Sequence, residues 1–471
     1  MKTLVLIPTY NERENIPKIL SQLDDAGIDA DILFVDDGSP DGTAEEIDNQ
    51  RRGNGRIHLI QRGSKLGIGS AHMDGIHWAY ENRYDFLVTM DCDLTHAPSD
   101  IPELLAALNT ADVAVGTRYG NPQSLKGWNW KRKALTHTAH LLTRFFLGVT
   151  YDCTGAFRAY RLGTIPVGVF ELVESKGYSF FFECLFVLNW NRCRVTEIPI
   201  CLPPRTYGSS KMPAVEPFRG IKVLVALFLD RLLSPEKFGY SNVYVKPNPT
   251  ITGRDEWDAY WEKSAKSKHP IYQAIATLYR RWIITRHLTR EIRSMFKKGA
   301  SVLHIGCGSG HVDQDNQMQV HITAVDTSLK ALQIYRRCVP FAKDVCHASG
   351  FDLPFAEASF DGAYHLGVIE HFNGTEMVKF LEELHRVIKP GGKLLIFWPH
   401  EKATSVAVIK IWHHLAGANA APLHPPEISL AKNRKWVVSI LSQAGFQMDY
   451  YQFDFRDFWV QAVIRATRNI D

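Results

Sequence analysis

Short apolar, β-rich runs alternate with helix-forming stretches through the first part of this chain. That alternation restricts the fold more than any other feature. The runs are Thr3 to Ile7, Asp31 to Val35, Ile57 to Gln61, Asp85 to Thr89 and Asp112 to Val115. Helices are expected between them, near Ile16 to Leu23, from Ala44 to Gln50, and from the glycine-rich turn after Arg62 to about Asn82. A β-α-β-α order predicts a parallel sheet with helices on both faces. In such sheets ligands bind outside the carboxyl ends of the strands. Here the polar residues collect at those ends.

The clearest case is Met90-Asp91-Cys92-Asp93-Leu94-Thr95-His96. Two carboxylates one residue apart repel each other unless a cation lies between them. Mg²⁺ or Mn²⁺ suits hard oxygen ligands and is held by one or two carboxylates plus substrate phosphates. A solvated acidic turn is the alternative for an isolated Asp-x-Asp. A second acidic strand end, Asp36-Asp37-Gly38-Ser39-Pro40-Asp41-Gly42-Thr43, is compatible with a turn and an N-cap, or with a ligand pocket. Arg62-Gly63-Ser64-Lys65-Leu66-Gly67-Ile68-Gly69 sets glycines beside cations. Such a loop lets backbone approach a diphosphate while the cations balance its charge.

With these stretches, the region 1–233 resembles family 2 glycosyltransferases, and within them the polyprenol-phosphate (dolichol-phosphate) mannosyltransferases. The matching segments are Ile7 to Glu12, Val35 to Thr43, Asp91 to Pro98, Gly116 to Tyr119, Gly127 to Lys133, Thr154 to Arg161 and Arg205 to Lys211. The resemblance implies a GT-A fold with a Rossmann-like mixed sheet. It implies that Pro8, Tyr10, Glu12, Asp37, Lys65 and Lys211 bind the nucleotide sugar, and that Asp91 and Asp93 hold Mg²⁺ or Mn²⁺, with Thr95 as a further ligand. Arg118, Arg132 and Thr136 would bind the acceptor phosphate. Arg205 and Lys211 would lie on a loop closing over the donor. The implied reaction is inverting transfer of mannose from GDP-mannose to dolichyl or polyprenyl monophosphate. Donors carrying UDP-glucose or a UDP-N-acetylhexosamine remain an alternative. A lipid phosphate is already an anion, so its attack needs no strong general base. It needs arginines that orient the phosphate. Asp91, Asp93, Arg118, Arg132 and Arg205 are therefore the expected catalytic set.

Such an acceptor must be met at a bilayer. The stretch 131–148 carries Leu135, Leu141, Leu142, Phe145 and Phe146 beside Lys131, Arg132, Lys133 and Arg144, and 220–233 is a second amphipathic stretch. Both are expected to lie on the membrane surface. No run reaches the length of a membrane span. Met1 to Tyr10 is too short an apolar run for a signal peptide. Eight cysteines include no C-x-x-C pair, which points to a reducing compartment. The expected location is therefore cytoplasmic, peripheral on the cytosolic membrane face. A net charge of +4 over 471 residues argues against a nucleic-acid partner.

That length requires more than one core. Residues 234–253 hold Pro235, Pro247 and Pro249 and form the expected linker. Residues 254–471 then form a second domain, beginning with helices that carry Trp257, Tyr260 and Trp261, either core residues or a cover. Ala300 to Ile305 is a strand ending in Gly306-Cys307-Gly308-Ser309-Gly310, and Ile322 to Val325 ends at Asp326. A glycine turn plus an acid on the next strand admits a dinucleotide. Leu353 to Phe355, Ser359 to Asp361, Val368 to His371 and Val387 to Ile396 bring the resemblance to class I S-adenosylmethionine-dependent methyltransferases, Rossmann-like in fold. It implies S-adenosylmethionine held by Gly306, Gly308, Gly310 and Asp326. Where relatives have Gly-Asp-Ala, this chain has Ala348-Ser349-Gly350, so Ser349, or else Asp344, replaces the adenine-contacting acid. His365, Glu370, His371 and His400 are candidate bases, and 403–434 a candidate substrate cover. The methyl acceptor expected is the lipid-linked sugar or a related glycan. A scaffold or sensor of S-adenosylmethionine is the non-catalytic alternative.

Overall fold

The structure is a computed structural model. It describes the chain apart from residues 120–123, 126, 127, 129, 203–214, 242–244, 246, 247, 249, 250, 252–256, 262–278, 317, 318, 341, 405–427, 456–458 and 471, and apart from the side chains of Lys131 and Arg132. The chain divides into two compact units, Met1–Arg231 and Leu232–Asp471.

The first unit contains strands β1 (Thr3–Thr9), β2 (Asp31–Asp36), β3 (Ile57–Gln61), β4 (Phe86–Thr89), β5 (Val113–Thr117), β6 (Arg158–Arg161) and β7 (Val195–Pro199). They form one sheet in the order β3-β2-β1-β4-β6-β5-β7. Its helices are α1 (Ile16–Asp25), α2 (Thr43–Arg51), α3 (Ile68–Glu81), α4 (Ile101–Ala107), α5 (Trp130–Leu147), α6 (Val167–Phe170), α7 (Phe180–Trp190) and α8 (Glu216–Leu233). The interior strands are apolar because both faces are covered: Leu4, Val5, Leu6 and Ile7 are all fully buried. Helix α1 turns Ile16, Ile19, Leu20 and Leu23 inward at helical spacing. Helix α3 approaches β1 closely at Gly75, where any Cβ would collide with Leu6.

Strands β1, β2, β3 and β4 pair in parallel, as the alternation predicts. Strand β6 runs antiparallel to both β4 and β5, which makes the sheet mixed, as the resemblance to the GT-A fold implies, where the β-α alternation by itself points to a parallel one. Its sequence, Arg158-Ala159-Tyr160-Arg161, has no apolar run to announce a strand. Arg158 is nevertheless fully buried, and its guanidinium donates to the backbone carbonyls of Cys153, Gly155 and Phe181 at 2.8–3.0 Å. Backbone acceptors thus replace the water that this cation loses.

The strand order reverses beside β1: β2 and β3 lie on one side, β4 on the other. The carboxyl ends of β1 and β4 therefore flank a crevice.

The second unit repeats the principle. Strands β8 (Ser301–Ile305), β9 (His321–Asp326), β10 (Asp344–His347), β11 (Phe360–Leu366), β12 (Ile388–Pro399), β13 (Phe446–Gln452) and β14 (Gln461–Arg468) follow the order β10-β9-β8-β11-β12-β14-β13. The first five are parallel, and β14 runs antiparallel between β12 and β13. The reversal falls beside β8. The helices Leu329–Cys338, Gly374–Val387 and Arg434–Gln443 follow β9, β11 and β12 in sequence. Within 234–253, Pro235–Phe238 forms a short 3₁₀ turn whose Phe238 is buried, and the Asn248 backbone N–H donates to His347 Nδ1 at 2.8 Å. Among the described residues, no helix is long and apolar enough to cross a membrane.

Candidate functional site

A cavity of about 780 Å³ opens at the β1/β4 crevice. Its lining includes Pro8, Tyr10, Glu12, Asp37, Lys65, Asp91 and Asp93, seven residues singled out from the sequence. The loop after β1 is stitched to the loop after β2. The Asn11 N–H donates to Ser39 Oγ and the Glu12 N–H to Thr43 Oγ1, both at 2.9 Å. Asn11 adopts φ +57°, a left-handed turn that carries the chain across the strand ends. Buried Asp36 anchors both loops, accepting from Thr9 Oγ1 at 3.0 Å and from the Ser39 N–H at 2.9 Å.

Asp37 reaches the cavity wall with its carboxylate already engaged. It accepts from the Leu66 and Gly67 N–H groups at 3.1 Å each and forms an ion pair with Arg62. Arg62, expected to face a diphosphate, is a buried strut instead. Its side chain is 5% exposed and also bonds Ser70, Asp74 and the Gly67 carbonyl. Of the two cations in that loop, Lys65 reaches the cavity, its ammonium 3.8 Å from the centroid of the Tyr10 ring.

Asp91 and Asp93 both face the cavity, so their donor chemistry fits a hard divalent cation. Thr95 lies behind Asp93: its hydroxyl donates to Asp93 Oδ1 at 2.6 Å and its N–H to the same atom at 3.2 Å. It orients a carboxylate and is not part of the cavity wall. His96, passed over as a site residue, accepts the Asp91 N–H on Nδ1 at 3.0 Å and stacks on Phe157 at 4.9 Å. Leu94 at φ +63° makes the tight turn that follows the two acids. The cavity also takes in Asp41, from the acidic loop after β2, and Arg13, Lys176, Tyr178, Glu216 and Arg219, which were not foreseen. Lys176 beside Gly177 carried the signal used for Lys65; Glu216 and Arg219 reach the cavity only because the first turn of α8 comes there.

Arg118 and Thr136 do not line this cavity. Arg118 follows β5, where its Nε donates to buried Asp152 at 2.8 Å. Asp152 in turn receives the Arg118 N–H at 3.2 Å. Tyr119 donates to the Thr136 carbonyl at 3.2 Å, tying this turn to α5. Arg205 and Lys211 lie outside the described residues, as does the side chain of Arg132.

In the second unit, Gly306, Gly308 and Gly310 all have positive φ, +63°, +52° and +75°. A Cβ on Gly306 would strike Val368, and one on Gly308 would meet the Trp261 ring at 2.9 Å. Asp326 accepts the Gly308 N–H and the Ser328 N–H, each at 2.9 Å, and burial raises its pKa. A glycine cradle with an acid on the next strand fits S-adenosylmethionine. Ser349 follows β10 at the same sheet end, half-buried, its Oγ accepting the Phe351 N–H at 3.3 Å. Asp344 opens β10 at the opposite end, which removes it as the substitute acid. The short helix 257–261 covers the glycine turn: Trp261 sits on Gly308, and Asp258 accepts from Ser328 Oγ and the Lys330 N–H.

The candidate bases are mostly structural. His365 is fully buried against Phe380, and burial, then His304, pushes its pKa down to about 3. His400 stacks on Phe453 at 3.9 Å and accepts the Lys402 N–H. Glu370 is 3% exposed, its carbonyl held by the Ile428 and Ser429 N–H groups. His371 faces Trp257, ring centroids 5.2 Å apart. Sequence reasoning missed buried Asp313, which gathers His304 Nδ1, Tyr335 OH and Tyr364 OH within 2.6–2.7 Å just beyond the glycine turn. An acid in Gly310 to Asn316 gave no motif to mark it.

Comparison with known proteins agrees with both halves. The model for glycosyl transferase family 2 matches residues 4–165, and one for a methyltransferase domain matches 303–396. Polyprenol monophosphomannose synthase of Mycolicibacterium smegmatis is 41% identical over 214 residues, covering 45% of this chain and 81% of the relative. Undecaprenyl-phosphate mannosyltransferase of Micrococcus luteus is 38% identical over 213 residues, covering 45% and 88%. Similar solved structures include magnesium protoporphyrin IX methyltransferase of Synechocystis PCC 6803, at 15% identity and TM-score 0.36, covering 46% of this chain and 98% of that one. A Methanosarcina mazei S-adenosylmethionine-dependent methyltransferase is 17% identical with TM-score 0.31, covering 38% and 98%. Through its first unit the chain belongs to glycosyltransferase family 2, and its second unit matches the methyltransferase-domain model over 303–396.

Proposed function

We propose that the first unit transfers mannose from GDP-mannose to a polyprenyl monophosphate, with inversion at the anomeric carbon, on the cytosolic face of a membrane. The observation that carries this reading is the pairing of Asp91 and Asp93 with Tyr10, Glu12 and Lys65 in one cavity at the sheet's switch point. The two named relatives supply the sugar and the acceptor class. Asp91 and Asp93 would hold a divalent cation, which when bound neutralises the departing diphosphate. Lys65 adds positive charge beside it, and Tyr10 offers a ring to the nucleoside. Arg118, held by Asp152, would present its outward nitrogen to the acceptor phosphate, with Thr136, Arg132 and Arg205 as further contacts.

Helices α5 and α8 would meet the bilayer. They pack together through Phe146 and Phe228, and expose Trp130, Leu141, Phe145, Phe218 and Ile221. The second unit would hold S-adenosylmethionine on Gly306, Gly308, Gly310 and Asp326, with Ser349 near the adenine. That cofactor supplies an electrophilic methyl group; the acceptor we assign is the lipid-linked sugar or a glycan built from it.

The test offers the purified chain radiolabelled GDP-mannose and UDP-glucose in parallel, with polyprenyl phosphate and Mg²⁺ or Mn²⁺, and counts the organic phase. Label from GDP-mannose is expected, falling about a hundredfold or more in Asp91→Asn. Label from UDP-glucose alone would change the donor. Full activity of Asp91→Asn would overturn the cation assignment. Calorimetry with S-adenosylmethionine tests the second unit, and absence of heat at high micromolar concentration would refute a methyltransferase role.

A further inference from the structure

Three metal-ligating side chains from three separate segments of the second unit converge away from the glycine cradle's own contacts. Glu236 lies in the turn Pro235–Phe238, His311 directly follows Gly310, and Cys338 ends the helix Leu329–Cys338. Their ligand atoms all lie within 4.8 Å of one another. His311 Nε2 and Glu236 Oε2 are 3.4 Å apart. Around tetrahedral zinc, ligand atoms 2.0–2.3 Å from the metal stand about 3.3–3.8 Å from each other, so a small closing movement completes the geometry.

The convergence is built by packing. Gly310 lies so close to Tyr335 and Val339 that a Cβ would meet their side chains at 2.6 and 2.9 Å. That contact presses the turn carrying His311 onto the end of the helix carrying Cys338. From Glu236 through His311 to Cys338, side-chain exposure falls from 30% through 15% to a residue only 1% exposed. The site is thus closed at the thiol and open at the carboxylate, which leaves an entry path and room for water as a fourth ligand.

We infer that Glu236, His311 and Cys338 bind one zinc ion, which clamps the turn 235–238 to the glycine-rich loop.

The chemistry selects that ion. A thiolate and an imidazole favour zinc over magnesium or calcium. One thiolate and one carboxylate cancel its two charges, leaving a neutral unit. The position after a helix C-terminus, where backbone carbonyls point outward, also favours a cation. Burial and the Glu236 carboxylate push the Cys338 thiol well above its ordinary range, against the pull of Arg281 and Arg337. A bound ion removes that penalty by deprotonating the thiol outright. Without an ion, the cluster is a His–Glu pair over a small buried thiol.

The experiment uses the full chain, reduced and stripped of metal with a chelator, then titrated with Co²⁺ and afterwards with Zn²⁺. One thiolate-to-cobalt charge-transfer band per chain is expected, bleached by stoichiometric Zn²⁺ and unaffected by excess Mg²⁺. The carboxylates Asp91 and Asp93 have no sulfur and give no such band. Cys338→Ser is expected to abolish it, and His311→Gln and Glu236→Gln to weaken Zn²⁺ binding by at least about tenfold. Absence of the band, its survival in Cys338→Ser, or unchanged affinity in both other variants would overturn the proposal. Because Cys338 is buried, its variant is checked for folding by circular dichroism. His311→Gln, at a partly open position, carries the test if Cys338→Ser misfolds.

Discussion

The residues that depart most from expectation are the buried polar ones. The glycine-rich loop marks Arg62 as a diphosphate cation, and the family resemblance marks Thr95 as a metal ligand. Instead each bonds an acid that itself reaches the cavity, Arg62 pairing with Asp37 and Thr95 with Asp93. No motif distinguishes a side chain that touches a ligand from one that holds its partner still. His72 shows the cost of such burial. It is wedged against Phe180 and Phe181, and among the described residues neither ring nitrogen has a hydrogen-bond partner. Burial first, then Arg158 and Arg62, lower its pKa from 6.5 to about 3. The unfolded chain binds this proton more readily than the folded one, so the native state is penalised as pH falls. Stability is therefore full above pH 6.5 and declines by about 1.4 kcal/mol per pH unit for this group between there and about 3. Urea denaturation between pH 6.5 and 4 is expected to show a flatter acid limb for the first unit in His72→Leu. An unchanged slope would show that His72 does not titrate in this way.

At the scale of elements, α8 does two things. Its first turn brings Glu216 and Arg219 into the cavity, and further along Phe218, Ile221, Val225 and Leu229 recur every three or four residues, all 40–75% exposed. That spacing places them on one face, while Leu224 and Leu227 bury the other. An apolar face continuous with a cavity-lining turn is what a lipid acceptor requires. Phe218→Glu is expected to lower co-sedimentation with anionic liposomes about tenfold, since a buried Phe contributes roughly 1.5–3 kcal/mol of transfer energy. Phe218 is 75% exposed, so the substitution should leave stability within about 0.5 kcal/mol. Equal liposome binding by the variant would assign this face another role. Strand β6 is the counter-example among elements: two arginines in four residues gave no β signal, and only the vacancy between β4 and β5 makes it a strand.

At the scale of the whole molecule there are two sheets, one in each unit. Each buries its own apolar strands, so heat is expected to unfold them as separate cooperative events, and a single Tm has no meaning for this chain. Differential scanning calorimetry should resolve two transitions. S-adenosylhomocysteine should raise one and GDP with Mn²⁺ the other, each by about 2.7 kcal/mol of stabilisation at a hundred times its Kd, or several degrees. A ligand that shifts both transitions equally would contradict independent units.

The amino-acid sequence by itself determined the β-α alternation, the positions of both glycine turns and the acids at the ends of β2, β4 and β9. These are local: hydrophobic period, turn chemistry and charge spacing are written in neighbouring residues. The tertiary structure alone decided which polar groups face the cavity and which support those that do. It also decided that β6 reverses, that His365 is core, and that Glu236, His311 and Cys338 meet. Those outcomes depend on contacts between residues tens of positions apart, where packing and desolvation, not local preference, select the conformation.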